Sequence, residues 1–91
     1  MKTTWKFPLV MDDRQVIRMP KGAHVLSAQM QFERLCAWAV VDNTVTEQVD
    51  VEFRVAGTGH PLDDMDESWY FLSTVQMLDG GLVFHVFMRR S

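Results

Sequence analysis

The sequence has little of what cross-linked, secreted or membrane-spanning proteins require. Cys36 is its only cysteine, so an intramolecular disulfide is impossible and a cysteine-rich zinc site is not expected. The longest apolar run, Leu35–Val41, has seven residues, whereas a membrane-spanning helix needs about 20. The first residues, Met1–Trp5, lack the apolar stretch of a signal peptide. We therefore expect a reduced, cytoplasmic protein with no membrane partner.

Basic residues are also sparse. The formal net charge is −3 at pH 7, and the densest basic cluster is the pair Arg89 and Arg90. A protein that binds a nucleic-acid polymer needs cations to neutralise phosphates, so we do not expect such a partner. The 91 residues, of which 47% are hydrophobic, make a single domain, residues 1–91. Such a domain buries about 60–65% of the surface that its unfolded chain exposes.

The hydrophobic pattern predicts strands and no long helix. Apolar and polar residues alternate in several short stretches, which is the period of a strand with one buried face. Turn signals separate these stretches at the spacing of all-β folds. We predict one all-β domain, a sandwich or partly open barrel of about seven mostly antiparallel strands. The predicted strands are Trp5–Leu9, Gln15–Met19, His24–Phe32, Leu35–Val41, Val51–Ala56, Trp69–Met77 and Leu82–Met88.

Local signals refine the turns and the strand pairing. Met19–Gly22 has proline second and glycine fourth, as a type I turn prefers. Glu33–Arg34 marks the tip of a tight hairpin, and Asp79–Gly81 is the strongest hairpin signal, with positive φ expected at one or both glycines. Pro8 predicts that the first strand either lies at a sheet edge or contains a bulge. The Asp12–Arg14 turn allows the first two strands to pair as a hairpin.

Two of the predicted strands, Leu35–Val41 and Leu82–Met88, are apolar on both faces. Aromatic residues make up 11% of the chain, more than a small core needs. A monomeric sandwich does not easily cover both strands, so the surplus forms an apolar patch or a subunit interface unless loops cover it. We expect a homo-oligomer, with a dimer as its simplest form.

Three stretches, Pro20–Ser27, Gly57–Leu62 and Asp79–Phe87, carry a resemblance to a known group of proteins. In that order they resemble a family of small phage and prophage proteins of roughly this length, and the resemblance covers nearly the whole chain. It implies a small non-enzymatic binding protein in the cytoplasm of the host cell. Counter-defence proteins, which block a host enzyme or sequester its signalling nucleotide, are one such class. The implied partner is an anionic small molecule or a host protein.

The candidate binding site is the loop that follows the fifth predicted strand. Gly57 and Gly59 permit positive φ and close approach of a ligand, and their amides can form a nest for an anion. Thr58 adds a hydroxyl donor, and a histidine such as His60 gains positive charge at mildly acidic pH. Arg54 adds a charge-assisted partner. We predict that an anionic small molecule binds Arg54, Gly57, Thr58, Gly59 and His60.

More ordinary roles for these residues stay open. Arg54 can be solvated beside Glu52 or Asp50, and His60 can form a structural hydrogen bond that shapes the bend. The acidic Asp63–Glu67 stretch that follows is typical of a solvated loop.

Signals for catalysis or metal binding are weaker. No pair among His24, His60 and His85 has the spacing of a metal site, so we expect neither a metal nor another cofactor. His85 lies among apolar residues, which is typical of a core or interface histidine. The alternative function is a small hydrolase or phosphodiesterase that uses His60 as general acid or base, with the acidic stretch assisting. No second catalytic group is evident, which favours a non-enzymatic binding protein.

Overall fold

In the computed structural model, which describes residues 1–90, the alternating stretches form seven strands. They are β1 (Lys2–Pro8), β2 (Arg14–Pro20), β3 (His24–Gln31), β4 (Arg34–Asp42), β5 (Gln48–Gly57), β6 (Tyr70–Met77) and β7 (Leu82–Arg90). Sheet A has the strand order β1-β4-β3 and sheet B has the order β2-β5-β7-β6, with every neighbouring pair antiparallel. The two sheets pack as layers and do not close into a barrel, which confirms the all-β sandwich. Within residues 1–90, no helix is long and apolar enough to cross a membrane.

The predicted hairpin between the first two strands is wrong. β1 pairs with β4 in sheet A and β2 pairs with β5 in sheet B, so segment 9–13 crosses from one sheet to the other. Leu9 continues the β1 ladder by donating its N–H to the carbonyl of Leu35, and its side chain enters the core. The Gln15 side chain then accepts from the N–H of Val10 and donates to its carbonyl, which shapes the crossing. As predicted from Pro8, β1 is an edge strand.

Two turns lie one residue away from their predicted positions. Gln31 pairs with Arg34, so the tip of the β3–β4 hairpin is Phe32–Glu33, where φ is +48° and +66°. Two left-handed central residues are what a type I′ turn requires. The turn before β3 is Pro20–Ala23, with Gly22 in third position at φ +86°. A type II turn needs glycine at that position.

The predicted β6–β7 hairpin is present. Met77 pairs with Leu82, and Gly80 has φ +90°, as expected. Gly81 has φ −68°, so only one of the two glycines adopts positive φ. Leu78 and Asp79 also have positive φ, +52° each, although neither is glycine.

The core lies between the inner faces of the two sheets. Sheet A contributes the fully buried alanines Ala28, Ala37 and Ala39, and sheet B contributes larger side chains such as Phe53 and Val86. Small side chains on one face leave space for large ones on the other, so the two layers interdigitate.

Polar contacts of Ser73 with Ala28 and Ser27 join the sheets along an edge. The Ser73 hydroxyl in β6 accepts a hydrogen bond from the N–H of Ala28 in β3, at 3.0 Å. The tips of the β3–β4 and β6–β7 hairpins consequently lie next to each other at one end of the sandwich. The starts of β3 and β6 meet at the other end.

Candidate functional site

The loop of residues 58–69 lies on the outer face of sheet B and covers Arg54. The Arg54 side chain is only 2% exposed. Its Nε and Nη2 atoms donate to Asp13 at 3.2 and 3.0 Å, and Nη1 donates to Asp64 at 3.1 Å. The idea that Arg54 is solvated is therefore wrong. Its guanidinium already binds two carboxylates, so it does not face a ligand at the surface.

Trp69 holds the end of this loop on sheet B, because three guanidinium groups contact its ring. The guanidinium carbons of Arg89, Arg14 and Arg54 lie 4.4, 5.7 and 5.8 Å from its ring centre, within the range of cation–π attraction. The ring is almost fully buried. Arg14 also donates to Asp64 at 3.0 Å. Apolar packing and charge therefore hold the loop against sheet B together.

The acidic stretch is an exposed loop, as its sequence predicts, but Asp64 within it is bound to two arginines of sheet B. Hydrogen bonds from Arg54 and Arg14 lower the pKa of Asp64, and those from the Ser68 hydroxyl and N–H lower the pKa of Asp66. Burial by itself lowers the pKa of Arg54, but hydrogen bonds with its carboxylate partners outweigh burial and raise that pKa. These ion pairs therefore persist at physiological pH, and the cluster acts as a clamp on the loop.

His85 lies between two threonine hydroxyls on the outer face of sheet B. Thr58 Oγ1 is 2.8 Å from His85 Nε2, and Thr74 Oγ1 is 3.0 Å from His85 Nδ1. A neutral imidazole donates to one of these hydroxyls and accepts from the other. The sequence-based interpretation of His85 as a core or interface histidine did not include this contact, although the hairpin pairing around Gly80 places Thr74 opposite His85.

The predicted glycine loop forms a closed turn. The His60 N–H donates to the carbonyl of Gly57 at 3.0 Å, and the Thr58 N–H donates to Val83 at 3.2 Å. The Thr58 amide, at the centre of the Gly57–Gly59 stretch expected to form an anion nest, is thereby used within the fold. Gly59 has φ +89° with open space on its Cβ side, and the His60 side chain is exposed. Thr58, Gly59 and His60 thus share an exposed turn, while Arg54 is covered.

A second set of polar side chains meets where β3 and β6 begin and β7 ends. An open groove of about 530 Å³, the end groove, is lined by His24, Val25, Ser68, Tyr70, Met88 and Arg90. Val25 and Met88 are buried and form its apolar floor. The Tyr70 ring is 64% exposed. Arg90 is held there by a hydrogen bond from Nη2 to the carbonyl of Ala23 at 3.1 Å.

Comparison with protein families gives one match. Residues 1–91, the whole chain, match the family model described as a domain of unknown function, DUF7352. The chain belongs to the DUF7352 family. Comparisons with curated proteins and with solved structures found no match. The function of this DUF7352 domain must therefore be argued from its geometry.

The end groove of the DUF7352 domain was missed from the sequence because its residues are far apart in the chain. His24, Tyr70 and Arg90 come from three strands and meet only once the sheets pack. The one local signal was the pair of arginines that ends β7. Within residues 1–90, no group of three histidine, cysteine or acidic side chains is placed to hold a metal ion.

Proposed function

We propose that this protein is a non-enzymatic binding protein that captures a small anionic molecule in the end groove. The observation that carries the proposal is the meeting of His24, Tyr70 and Arg90 around an apolar floor. Within residues 1–90, the His24 ring and the Tyr70 hydroxyl have no hydrogen-bond partner, and Arg90 binds only the Ala23 carbonyl. These groups retain donors for a ligand.

The chemistry of the groove favours a ring compound that carries a phosphate or carboxylate. The planar guanidinium of Arg90 can donate two parallel hydrogen bonds to such an anion, and the His24 imidazole can add a third donor. The exposed Tyr70 ring offers a face for stacking, while its hydroxyl offers a polar contact. Small-molecule sites commonly enclose about 300–1,000 Å³, and the end groove has about 530 Å³. A mononucleotide or cyclic nucleotide fits this description.

The biological setting of the proposal comes from the resemblance to phage and prophage proteins. A phage protein that binds a nucleotide in the host cytoplasm would lower the free concentration of a host signal and so act as a counter-defence factor. This role needs affinity and no turnover. It agrees with a groove that has donors and a stacking face, and whose one serine, Ser68, is already bonded to Asp66 and Arg89.

The glycine turn remains a predicted contact for an anionic ligand, separate from the end groove. Gly57 pairs with Phe84 near the start of β7, whereas Arg90 ends that strand, so the turn and the end groove lie at opposite ends of β7. Thr58 and His60 are exposed enough to meet a ligand. Arg54 would reach one only by giving up Asp13 or Asp64.

A small hydrolase or phosphodiesterase is the second candidate. The observation that favours it is the 2.8 Å contact between Thr58 Oγ1 and His85 Nε2, because a hydroxyl held on an imidazole is the arrangement of a nucleophile and its base. The predicted acid or base, His60, has no side-chain hydrogen bond within residues 1–90. The other imidazole nitrogen of His85 meets the neutral Thr74 hydroxyl and no carboxylate. We therefore place this candidate second.

Thermal shift with a defined panel tests the proposed function. The panel contains the common nucleoside monophosphates and their 3′,5′-cyclic forms, with inorganic phosphate and the nucleosides as controls. A ligand that binds only the folded state must raise the melting temperature. We expect at least one nucleotide to raise the melting temperature more than either phosphate or its nucleoside does. The reason is that the proposed contacts involve both the phosphate and the base of the nucleotide.

The same samples separate binding from hydrolysis. After prolonged incubation and denaturation, a sequestering protein returns the nucleotide intact, whereas an enzyme returns product. Product formation that the substitution His60→Ala or His85→Ala removes would support the hydrolase. A panel in which no compound raises the melting temperature would contradict nucleotide capture.

A further inference from the structure

Two hairpin tips lie side by side at the end of the sandwich opposite the end groove. β3 and β6 are neighbours across the sheets, as the hydrogen bond between Ala28 and Ser73 shows. The β3–β4 and β6–β7 tips therefore border one open groove of about 560 Å³. Its lining includes Met30 and Glu33 from the first hairpin and residues 76–80 from the second.

Each tip presents a large apolar side chain from a left-handed backbone position. Phe32 has φ +48° and is 95% exposed, and Leu78 has φ +52° and is 72% exposed. Hairpin turns of this kind prefer asparagine or glycine, because a Cβ atom disfavours positive φ. Exposure means that burial in the core does not compensate for the strain of either residue. Such outliers cluster at functional sites, including ligand clamps and switch regions.

The groove between the tips combines adaptable apolar side chains with free carboxylates. Met30 and Met77 line it, and unbranched methionine adjusts its shape to a partner. Glu33 and Asp79 also line it, and within residues 1–90 neither carboxylate has an ion pair or side-chain hydrogen bond. The described lining contains no lysine, arginine or histidine. The groove is therefore partly apolar, and the charged side chains of its lining are all anionic.

We propose that the tip surface, formed by Met30, Phe32, Glu33, Met77, Leu78 and Asp79, docks a segment of another protein that carries an apolar side chain beside lysine or arginine. The apolar side chain enters the groove between the two tips and covers Phe32 and Leu78. The cations pair with Glu33 and Asp79, which have free oxygens to receive them.

The same carboxylates oppose two other occupants. A second copy of this chain docked tip to tip would bring Glu33 and Asp79 against carboxylates of the same sign. A membrane with anionic headgroups would repel them as well. The docking surface is independent of nucleotide capture, because the end groove lies at the opposite end of the sandwich.

The substitutions Phe32→Asn and Leu78→Asn separate binding from folding. Asparagine tolerates positive φ better than phenylalanine or leucine does, so each variant should melt at or above the wild-type temperature. Both substitutions remove an apolar anchor from the surface. Val16→Thr is the matched control, because Val16 is also an exposed apolar residue but lies on β2.

A displayed library of random dodecapeptides, selected on the wild-type protein, supplies the probe. We expect the enriched peptides to combine a large apolar residue with lysine or arginine. Synthetic versions should bind Phe32→Asn or Leu78→Asn at least about tenfold more weakly than wild type, as loss of an interface anchor predicts. Binding to Glu33→Gln should weaken and lose much of its salt dependence. Val16→Thr should bind as wild type does.

Several results would overturn the proposal. No enrichment, enrichment of peptides without basic residues, or unchanged binding to both asparagine variants would remove the tip surface as a protein-docking site. Self-association that Phe32→Asn abolishes would show that the occupant is a second copy. Cosedimentation with phosphatidylserine vesicles that Phe32→Asn abolishes would show that it is a lipid surface.

Discussion

At the residue scale, Arg54 and Trp69 explain why a loop rich in acidic residues stays on sheet B. The guanidinium of Arg54 leaves the core with the alternation of β5, yet it needs carboxylates because it is covered. Asp13 supplies one from the segment before β2, and Asp64 supplies the other from the loop. The strand periodicity predicts the direction of Arg54. It does not predict the cover, because Asp64 and Trp69 are distant in sequence.

Acid should weaken this clamp in a way that Asp64→Asn removes. The folded-state pKa of Asp64 is lowered by Arg54 and Arg14, whereas an aspartate in the unfolded chain has a pKa of about 3.9. Ionised Asp64 therefore stabilises the fold above about pH 4, and that stabilisation is lost as the pH falls through the lowered folded-state pKa. We expect Asp64→Asn to lower the melting temperature at pH 7 by a few degrees. The difference from wild type should shrink towards pH 2.

Melting curves of wild type, Asp64→Asn and Asp63→Asn across pH 2–8 give the comparison. Asp63 is the matched control, because within residues 1–90 it has no ion pair and its replacement should change little. If the melting temperatures of wild type and Asp64→Asn depend on pH in the same way, Asp64 does not stabilise the fold through its charge.

At the element scale, the edge strands β1 and β2 carry charged side chains that disfavour pairing with a strand of another chain. The Asn43 N–H donates to the Met1 carbonyl, and the Leu9 N–H donates to the Leu35 carbonyl. In an antiparallel ladder every second residue bonds to the neighbouring strand, so the backbone groups of Lys2, Thr4 and Lys6 point away from β4. Antiparallel self-pairing centred on Thr4 would place Lys2 opposite Lys6 of a second copy, and like charges in that position are destabilising. The β2 edge carries arginines in the same way. Self-association through these edges is therefore disfavoured.

The left-handed backbone at Gly80 gives a prediction for the β6–β7 hairpin. Gly80 has φ +90°, where a β-branched residue is strained, so Gly80→Val should lower the free energy of unfolding by about 1–2 kcal/mol. Gly80→Asn should cost less, because asparagine tolerates positive φ. Urea denaturation of the two variants beside wild type measures the difference. Equal free energies of unfolding for all three proteins would contradict the prediction that a side chain at position 80 strains this turn.

The elements were more predictable than their register. Alternation identified five of the seven strands, and short apolar runs between turn signals identified the other two, but neither signal predicted the bulge between Val25 and Ser27. Simple alternation puts Leu26 on the face of Ala28, whereas the bulge leaves Leu26 48% exposed and Ala28 buried. Phe32 was counted as strand for a similar reason. Its place in the turn depends on which residues pair across the hairpin, and composition alone does not fix that.

At the scale of the whole molecule, the sandwich is thin. Its shortest extent is 16 Å, which leaves room for one layer of side chains between two sheets about 10 Å apart. The 58–69 loop covers part of the outer face of sheet B. On the outward side of β4 in sheet A, Trp38 and Val40 remain only half-buried. The doubly apolar β4 sequence predicted such an uncovered face.

The outer face of sheet A is therefore the proposed interface of a homo-oligomer. At tens of micromolar, light scattering behind a sizing column should give a mass well above the 10.6 kDa of one chain. Trp38→Lys should lower that mass, because it places a charge at the centre of the face. Val16→Lys, an exposed apolar position on β2, should not. A wild-type mass of 10.6 kDa at every concentration would contradict the interface.

The candidate site shows where sequence reasoning reaches its limit. The exposed turn at Thr58, Gly59 and His60 follows from local glycine chemistry and was predicted as a turn of this kind. The end groove depends on which strand starts meet across two sheets, and no spacing along the chain encodes that. Arg90 was visible only as half of a basic pair, without the histidine and tyrosine that give it a role.

Titration calorimetry on Arg90→Gln tests nucleotide capture most directly. The probe is the nucleotide that gives the largest thermal shift with wild type, and Arg34→Gln, an exposed arginine at the start of β4, is the matched control. We predict that Arg90→Gln weakens binding by about 1.5–3 kcal/mol, the range for a hydrogen bond to a charged group, with the fold intact. Arg34→Gln should bind as wild type does. Wild-type affinity in folded Arg90→Gln would contradict capture in the end groove.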